Sequence, residues 1–186
     1  MIWPSANVIG MFYFASEVAL SLMRRSQPGA ASKDASFRHI WMVMPSSAIG
    51  ALVVANLIPA AGLPFAHALY CTGLTVFVLG LVVRWGAVIQ LGRFFTVDVA
   101  IAADHRVIDT GFYRHVRHPS YAGVVVAFVG LGLCTANAIS LAICAVLPFL
   151  ALRARMDVEE RALADGLGEA YRSYMRRTKR LLPLIY

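Results

Sequence analysis

Residues 65–91, FAHALYCTGLTVFVLGLVVRWGAVIQL, decide the class of fold, because Arg84 is the one Asp, Glu, Lys or Arg among them. The hydrocarbon core of a bilayer is about 30 Å thick, and a helix needs about 20 predominantly apolar residues to cross it. The run exceeds that length and therefore predicts a membrane-spanning helix.

Two further runs on the N-terminal side, residues 2–23 and 40–60, are also long and apolar enough to span a bilayer. The whole chain is 59% hydrophobic and only 15% charged, far more apolar than a soluble domain of 186 residues. The sequence therefore predicts an all-α integral membrane protein that forms a single membrane domain, residues 1–186.

The run at 121–152 contains no Asp, Glu, Lys or Arg, but its 32 residues are too many for one span and few for two. We interpret it as a hairpin of short helices, 121–135 and 138–152, that turns near residues 135–137. Each would reach only about 24 Å at 1.5 Å per residue, so tilting or local thinning of the bilayer is expected. The total is about five transmembrane helices.

The charges predict the orientation. All 17 Lys and Arg residues lie in 24–38, in 84–117 or from 153 onward, and the connectors 59–64 and 134–138 carry none. The positive-inside rule then places the N-terminus outside and the C-terminus on the cytoplasmic side of an inner or plasma membrane, with the first run retained as a span.

This topology also accounts for the net charge of +7. Without a recognisable nucleic-acid module, we expect membrane lipids and no nucleic acid as partners. The oligomeric state stays open.

Residues 105–123, HRVIDTGFYRHVRHPSYAG, put three histidines, three arginines and two tyrosines at a membrane boundary. Arg117, His118 and the free amides of a helix that opens at Pro119 could bind a ligand with polar or negative groups. Anchoring at the lipid headgroups is the alternative, but it does not explain the histidines. We expect no metal at His115 and His118, because no Cys or carboxylate lies at ligand spacing.

The segment 153–182 reads as a cytoplasmic helix that leaves the bilayer, is interrupted near Gly166 and Gly168, and then resumes to Arg177. Arg155 and Glu159 are four residues apart and share one face, whereas Glu160 points about 100° away. A solvated helix with paired charges is the alternative. Ionisable residues one turn beyond a span are functional more often than those of an arbitrary helix.

Two charged residues lie inside the predicted spans, Glu17 in the first and Arg84 in the third. Either could belong to an ion pair buried in the bundle. For Arg84, seven residues from the cytoplasmic end, snorkelling to the headgroups is the favoured interpretation.

The pattern H-x-V-I-x-x-G-x-Y-x-x-x-R-H-P-S-Y-x-G at 105–123 is followed by R-x-x-x-E-E-x-x-L at 155–163, G-x-x-Y-x-x-Y at 168–174 and R-L-L-P at 180–183. This combination resembles the isoprenylcysteine carboxyl methyltransferase family, which is related to membrane phospholipid methyltransferases. The resemblance covers residues 91–183. It implies that S-adenosyl-L-methionine binds on the cytoplasmic side in a cofactor-binding segment, residues 92–121, together with the C-terminal helix.

The resemblance also implies residue roles. Glu159 would hold the ammonium of the cofactor, and Arg155 would bind the substrate by orienting the carboxylate of the acceptor; both count as catalytic. The implied cofactor-binding residues are His105, Arg106, Val107, Ile108, Gly111, Tyr113, Arg117, His118, Pro119, Ser120, Tyr121, Glu159 and Glu160. Residues 97–101 depart from the family, because they offer only Asp98 where a Gln or Glu is common.

The chemistry of the residues favours a carboxylate acceptor. Methyl transfer from a sulfonium to a carboxylate joins opposite charges into neutral products, which a water-poor site favours without a general base. A lipophilic, prenylcysteine-like or lipidated acceptor fits the membrane setting. Alternatives are a phospholipid or a small amphipathic amine or thiol as acceptor, a nicotinamide-dependent membrane reductase, and a non-catalytic lipid-binding protein.

Overall fold

The computed structural model describes residues 5–23, 35–95, 105–183 and 186, with no description of side chains at 35–37. The described part is helical, and its regular pairing outside helices is limited to isolated bridges. The α-helices are α1 (Ala6–Met23), α2 (Ala35–Leu57), α3 (Ala66–Leu91), α4 (Pro119–Cys134), α5 (Ala138–Leu167) and α6 (Glu169–Arg177). Residues 24–34, and residues 96–104 of the predicted cofactor-binding segment, lie outside the described residues.

The predicted helices are found close to their expected bounds. By length and composition, α1, α2, α3 and α5 are apolar enough to cross a membrane, whereas α4 has only 16 residues. The predicted hairpin is confirmed, since α4 and α5 are joined by a turn at residues 135–137. Its second helix is longer than 138–152, because α5 continues without interruption to Leu167.

Glycines allow α3 and α4 to pack backbone to backbone. A Cβ atom added to Gly80 would lie 2.4 Å from the amide nitrogen of Ala127, and one added to Gly130 would lie 2.4 Å from that of Phe77. Helix association in lipid relies on close packing, since the lipid tails remove the hydrophobic drive. These small residues therefore make the α3–α4 pair the most intimate contact of the bundle.

The α4–α5 turn is fastened to the α2–α3 connection by polar contacts. Asn137 caps α5, because its side-chain oxygen accepts from the amides of Ile139 and Ser140 at 3.1 Å, and its amide nitrogen donates to the Ile58 carbonyl at 3.0 Å. The Ser140 hydroxyl donates to the Ala51 carbonyl at 2.6 Å. Both connections therefore lie at the same end of the bundle.

The charged residues of the bundle lie toward the opposite end. Arg84 is 18 residues along α3 from Ala66, and Arg155 is 17 residues along α5 from Ala138, which places each about 26 Å from the outer turns at 1.5 Å per residue. The hydrocarbon core is about 30 Å thick. Arg84 and Arg155 therefore lie slightly less than one bilayer thickness from the connections at the other end of the bundle.

The predicted break near Gly166 and Gly168 and the predicted end of the resumed helix at Arg177 are confirmed, so helix does not fill the whole segment 153–182. Gly168, with φ of 60°, separates α5 from α6, and α6 ends at Arg177. The following residues are extended, because the chain at 179 and 180 pairs with residues 115–118. These paired amides and carbonyls replace the hydrogen bonds that a continued helix would make.

Candidate active site

A cavity opens where the end of α3, residues 105–113, the start of α4, and α5 and α6 meet. Its empty volume, including the part open to solvent, is about 820 Å³. This polar cavity is lined by Leu91, Phe94, Phe95, His105, Arg106, Val107, Ile108, Tyr113, Arg117, His118, Ser120, Tyr121, Arg155, Glu159, Leu163, Leu167, Tyr171 and Tyr174.

The structure brings most of the predicted site residues to this cavity. The residues at 105–108, Tyr113, Arg117, His118, Ser120, Tyr121, Arg155 and Glu159 are all in its wall. Gly111, Pro119 and Glu160 are not. The stretch 97–101, where the sequence departs from the family pattern, lies outside the described residues.

Glu159 presents its carboxylate to the cavity. The Tyr121 hydroxyl donates to Glu159 Oε2 at 2.8 Å, and His118 Nδ1 lies 3.9 Å from the same oxygen. The imidazole of His118 is stacked on the Tyr121 ring, with centroids 5.4 Å apart and planes at 9°. The Glu159 side chain keeps 28% exposure, so it can accept further hydrogen bonds from a ligand.

Glu160 points away from the cavity into a buried cluster of charges. Its Oε1 accepts from Arg117 Nε at 2.9 Å and lies 3.1 Å from His118 Nε2, and its Oε2 accepts from Arg180 Nη2 at 2.7 Å. Burial alone would raise the pKa of Glu160, but its hydrogen bonds with His118 and Arg117, together with the charge of Arg117, lower that pKa below its usual range. Glu160 is therefore an ionised carboxylate that accepts hydrogen bonds only.

Gly111 allows the loop at residues 110–112 to pack against the side chain of Gln90. Gln90, near the end of α3, donates to the Thr110 carbonyl at 2.6 Å and accepts from the Phe112 amide at 3.0 Å. A Cβ at Gly111 would lie 2.3 Å from the Gln90 side chain, and its φ of 53° is left-handed. Glycine is required here for the shape of the loop.

The C-terminal segment closes the other side. The Lys179 amide donates to the His115 carbonyl at 3.0 Å, and the Lys179 and Arg180 carbonyls accept from the amides of Arg117 and His118 at 2.7 and 2.9 Å. The Tyr174 hydroxyl donates to the Tyr113 carbonyl at 2.7 Å. His115 itself is exposed, whereas His118 is 4% exposed. These contacts fix the polar segment against α6.

A second cavity lies deeper in the bundle, between α1, α2 and the inner ends of α3, α4 and α5. Its empty volume, including open space, is about 700 Å³. This apolar cavity is lined by Tyr13, Phe14, Glu17, Leu20, Ser21, Ile40, Trp41, Met44, Arg84, Phe95, Tyr121, Val124, Leu152 and Arg155. It shares Phe95, Tyr121 and Arg155 with the polar cavity, so these three side chains form a common wall.

Sequence reasoning missed the site around Arg84. Its Nε and Nη2 donate to the two carboxylate oxygens of Glu17 at 3.1 and 2.9 Å. Arg84 is 7% exposed, so the favoured interpretation of snorkelling was wrong and the buried ion pair was right. The sequence did carry a signal, because Glu17 lies six residues before the end of α1 at Met23 and Arg84 lies seven residues before the end of α3 at Leu91.

The Nη1 atom of Arg84 is buried and has no hydrogen-bond partner among the described residues. Leaving a buried charged donor unsatisfied is costly. The guanidinium lies in the wall of the apolar cavity, where the carboxylate of a ligand could supply the missing acceptor. Together the two cavities can hold a polar and a lipophilic ligand on either side of Arg155.

Comparison with known proteins relates the chain to one family. The model of the isoprenylcysteine carboxyl methyltransferase (ICMT) family matches residues 72–165, just over half of the chain. Protein-S-isoprenylcysteine O-methyltransferase B of Arabidopsis thaliana is 33% identical over 115 residues, 61% of this chain and 58% of that protein. The Schizosaccharomyces pombe protein-S-isoprenylcysteine O-methyltransferase is 29% identical over 130 residues, 68% of this chain and 55% of that protein. The chain thus spans somewhat over half the length of these curated relatives.

The fold is also shared with a solved structure, that of the eukaryotic intramembrane Ras methyltransferase ICMT. The TM-score is 0.70 at 24% sequence identity, and the match covers 100% of this chain and 70% of the other. The likeness supports the all-helical membrane fold. With the family match across α3, α4 and most of α5, it shows that the chain belongs to the isoprenylcysteine carboxyl methyltransferase family.

Proposed function

We propose that the chain is an S-adenosyl-L-methionine-dependent methyltransferase that esterifies the carboxylate of a lipophilic, prenylcysteine-like acceptor. The observation that carries the proposal is the meeting of a polar and an apolar cavity at Arg155, Tyr121 and Phe95. A reaction between a water-soluble donor and a membrane-embedded acceptor requires such a junction. The names of the relatives, which are protein-S-isoprenylcysteine O-methyltransferases, support the acceptor class.

The polar cavity has the chemistry that S-adenosylmethionine needs. Glu159 Oε2 offers a negative acceptor for the ammonium, and residues 105–108 with Leu163 and Leu167 line the remaining wall. When bound, the cofactor supplies an electrophilic methyl group on a sulfonium. The chain has only to hold donor and acceptor in line, and such positioning can contribute up to roughly 7–11 kcal/mol in well-oriented systems.

The apolar cavity fits an anionic head on an apolar chain. Arg84 and Arg155 bring two guanidinium groups to its inner end, against the single carboxylate of Glu17. The buried Nη1 of Arg84 lacks an acceptor in the described structure, and a carboxylate can bind a guanidinium through two oxygens. Aromatic and aliphatic side chains, such as Tyr13, Met44 and Val124, continue from there between α1, α2 and α4. This excess of cations favours a carboxylate over an amine.

We place the site at the cytoplasmic face of an inner or plasma membrane, with the N-terminus outside. The one-sided distribution of Lys and Arg supports this orientation. The acceptor, a lipophilic small molecule or a lipidated protein, would enter from the lipid, and the cofactor would enter from water.

Two measurements on the purified chain in lipid nanodiscs test the proposal. Isothermal titration should show binding of S-adenosylhomocysteine and none of NADPH. Labelled methyl should pass from S-adenosylmethionine to prenylated N-acetylcysteine as a base-labile ester. The matched acceptor in which a carboxamide replaces the carboxylate should remain unlabelled. Binding of NADPH alone, or base-stable labelling of phosphatidylethanolamine instead, would contradict it.

A further inference from the structure

The buried Glu160 has no place in the wall of the polar cavity, yet it is bound more extensively than Glu159. It faces Arg117 from the segment before α4, Arg180 from the C-terminal segment, and His118 at the start of α4. Arg180 also pairs with Asp157, one turn earlier on α5, at 2.7 Å. Two separate parts of the chain, residues 117–118 and the C-terminal segment, therefore converge on one carboxylate of α5.

We propose that Glu160 is a positioning residue that holds His118 as the neutral Nε2–H tautomer, so that Nδ1 faces the cavity as a hydrogen-bond acceptor for an ammonium group. The inference rests on the proposed function, because the ammonium would be that of S-adenosylmethionine. Its structural basis is the different surroundings of the two ring nitrogens of His118.

On the Nε2 side of the ring, only a hydrogen bond donated by Nε2 is possible. Nε2 lies 3.1 Å from Glu160 Oε1, and an ionised carboxylate has no hydrogen to give. Nε2 must therefore carry the proton for this contact to be a hydrogen bond. The bond that one ring nitrogen makes sets the state of the other, so Nδ1 of the neutral ring keeps its lone pair.

An imidazolium is the alternative, and it would repel the ammonium group of the ligand. Glu160 already faces the guanidinium groups of Arg117 and Arg180, so a third positive charge would gain little there. On the other side, Nδ1 and Glu159 Oε2 are 3.9 Å apart, beyond hydrogen-bonding distance. Among the described residues, a proton on Nδ1 would thus meet the charge of Glu159 without forming a hydrogen bond to it.

The same 3.9 Å gap suits a shared donor. One nitrogen placed about 2.8–2.9 Å from each atom, the length of a charge-assisted hydrogen bond, would contact both Nδ1 and Oε2. Tyr121 completes the arrangement by donating to Oε2 and stacking on the imidazole. Two acceptors at this spacing select a donor with several hydrogens, which describes an ammonium.

The tautomer can be observed without any ligand. In protein labelled with ¹⁵N-histidine, long-range nitrogen–proton correlations distinguish the two neutral tautomers from the imidazolium. The chain has five histidines, and removing each of the other four in turn assigns His118. We expect the Nε2–H pattern in the wild-type protein. An Nδ1–H or imidazolium pattern near neutral pH would overturn the inference, whatever any variant does.

The variant Glu160→Gln then tests the role of the carboxylate. Its side chain can also donate, so we expect a mixture of tautomers and an affinity for S-adenosylhomocysteine about tenfold or more weaker, as for the loss of a hydrogen bond to a charged group. The control Arg176→Ala removes an exposed ion pair with Glu169 and should change neither the tautomer of His118 nor the affinity for S-adenosylhomocysteine. Weaker binding with an unchanged tautomer would show Glu160 to be a structural brace and overturn the proposal, as would no change at all. If the wild-type chain binds no S-adenosylhomocysteine, the proposed function fails while the tautomer is still decided.

Discussion

The neighbouring carboxylates Glu159 and Glu160 have different surroundings because a helix turns by about 100° per residue. The sequence predicted their different directions and the shared face of Arg155 and Glu159, since both follow from local geometry, but it assigned both carboxylates to the cofactor, and Glu160 is not in the wall of the polar cavity. It could not predict that Glu160 would meet Arg117 and Arg180, which are 43 and 20 residues away. Contacts of that kind depend on how the C-terminal segment returns to the start of α4.

Arg155 and Glu159 should separate acceptor from cofactor when each is replaced by alanine. Glu159→Ala should raise the apparent KM for S-adenosylmethionine, whereas Arg155→Ala should leave cofactor binding nearly intact. Arg155→Ala should instead lower turnover on a carboxylate acceptor by about tenfold or more, because a bond to a charged group is worth roughly 1.5–3 kcal/mol. Arg155→Lys should recover little of this turnover, since lysine lacks the planar guanidinium group that binds both oxygens of a carboxylate.

Steady-state kinetics with each substrate varied in turn, together with calorimetry of S-adenosylhomocysteine, measure these effects. If both alanine variants lose cofactor binding equally, Arg155 and Glu159 form a structural pair, and the carboxylate acceptor loses a main support.

At the scale of helices, hydrophobic run lengths predicted most elements because each span must match the bilayer. The partners of those helices were not predictable in the same way. Runs of apolar residues have little periodicity when lipid and protein are equally apolar, so the α3–α4 contact through Gly80 and Gly130 and the ion pair of α1 with α3 appear only in the fold.

The close α3–α4 packing makes a matched pair of glycine substitutions informative. Gly80→Ala would place a Cβ 2.4 Å from backbone atoms of α4, so it should lower the unfolding temperature. Gly50→Ala in α2 meets nothing within 4 Å and should be neutral or stabilising, because alanine favours helix by about 0.5–1 kcal/mol. Thermal unfolding in detergent compares the two. Equal effects would show that the helices can separate at no cost.

The Glu17–Arg84 pair should fasten α1 to the bundle. Glu17→Ala leaves a buried cation without its partner and should cost about 3–5 kcal/mol, whereas the double change of Glu17→Leu with Arg84→Met should be closer to neutral. Reversible unfolding in denaturing detergent gives the free energies, and Glu169→Ala at the exposed pair with Arg176 serves as the control. Additive losses in the double variant would argue against direct coupling.

For the whole molecule, the distribution of basic residues predicts which side of the membrane the site faces. In variants without native cysteines, a cysteine at the exposed Ala60 should react with an impermeant reagent in intact cells. A cysteine at the exposed Ser173 of α6 should react only after the membrane is opened. The reverse pattern would place the site outside.

In the proposed reaction, the wall shared by the two cavities gives each product its own exit. A methyl ester has no charge to offer Arg155 or Arg84, whereas S-adenosylhomocysteine keeps the ammonium that we propose Glu159 binds. Added ester should therefore inhibit weakly, and S-adenosylhomocysteine should inhibit competitively against the methyl donor. Strong inhibition by the ester, competitive with the acceptor, would contradict this. Each product thus leaves by the side from which its precursor arrived, the ester into lipid and the spent cofactor into water.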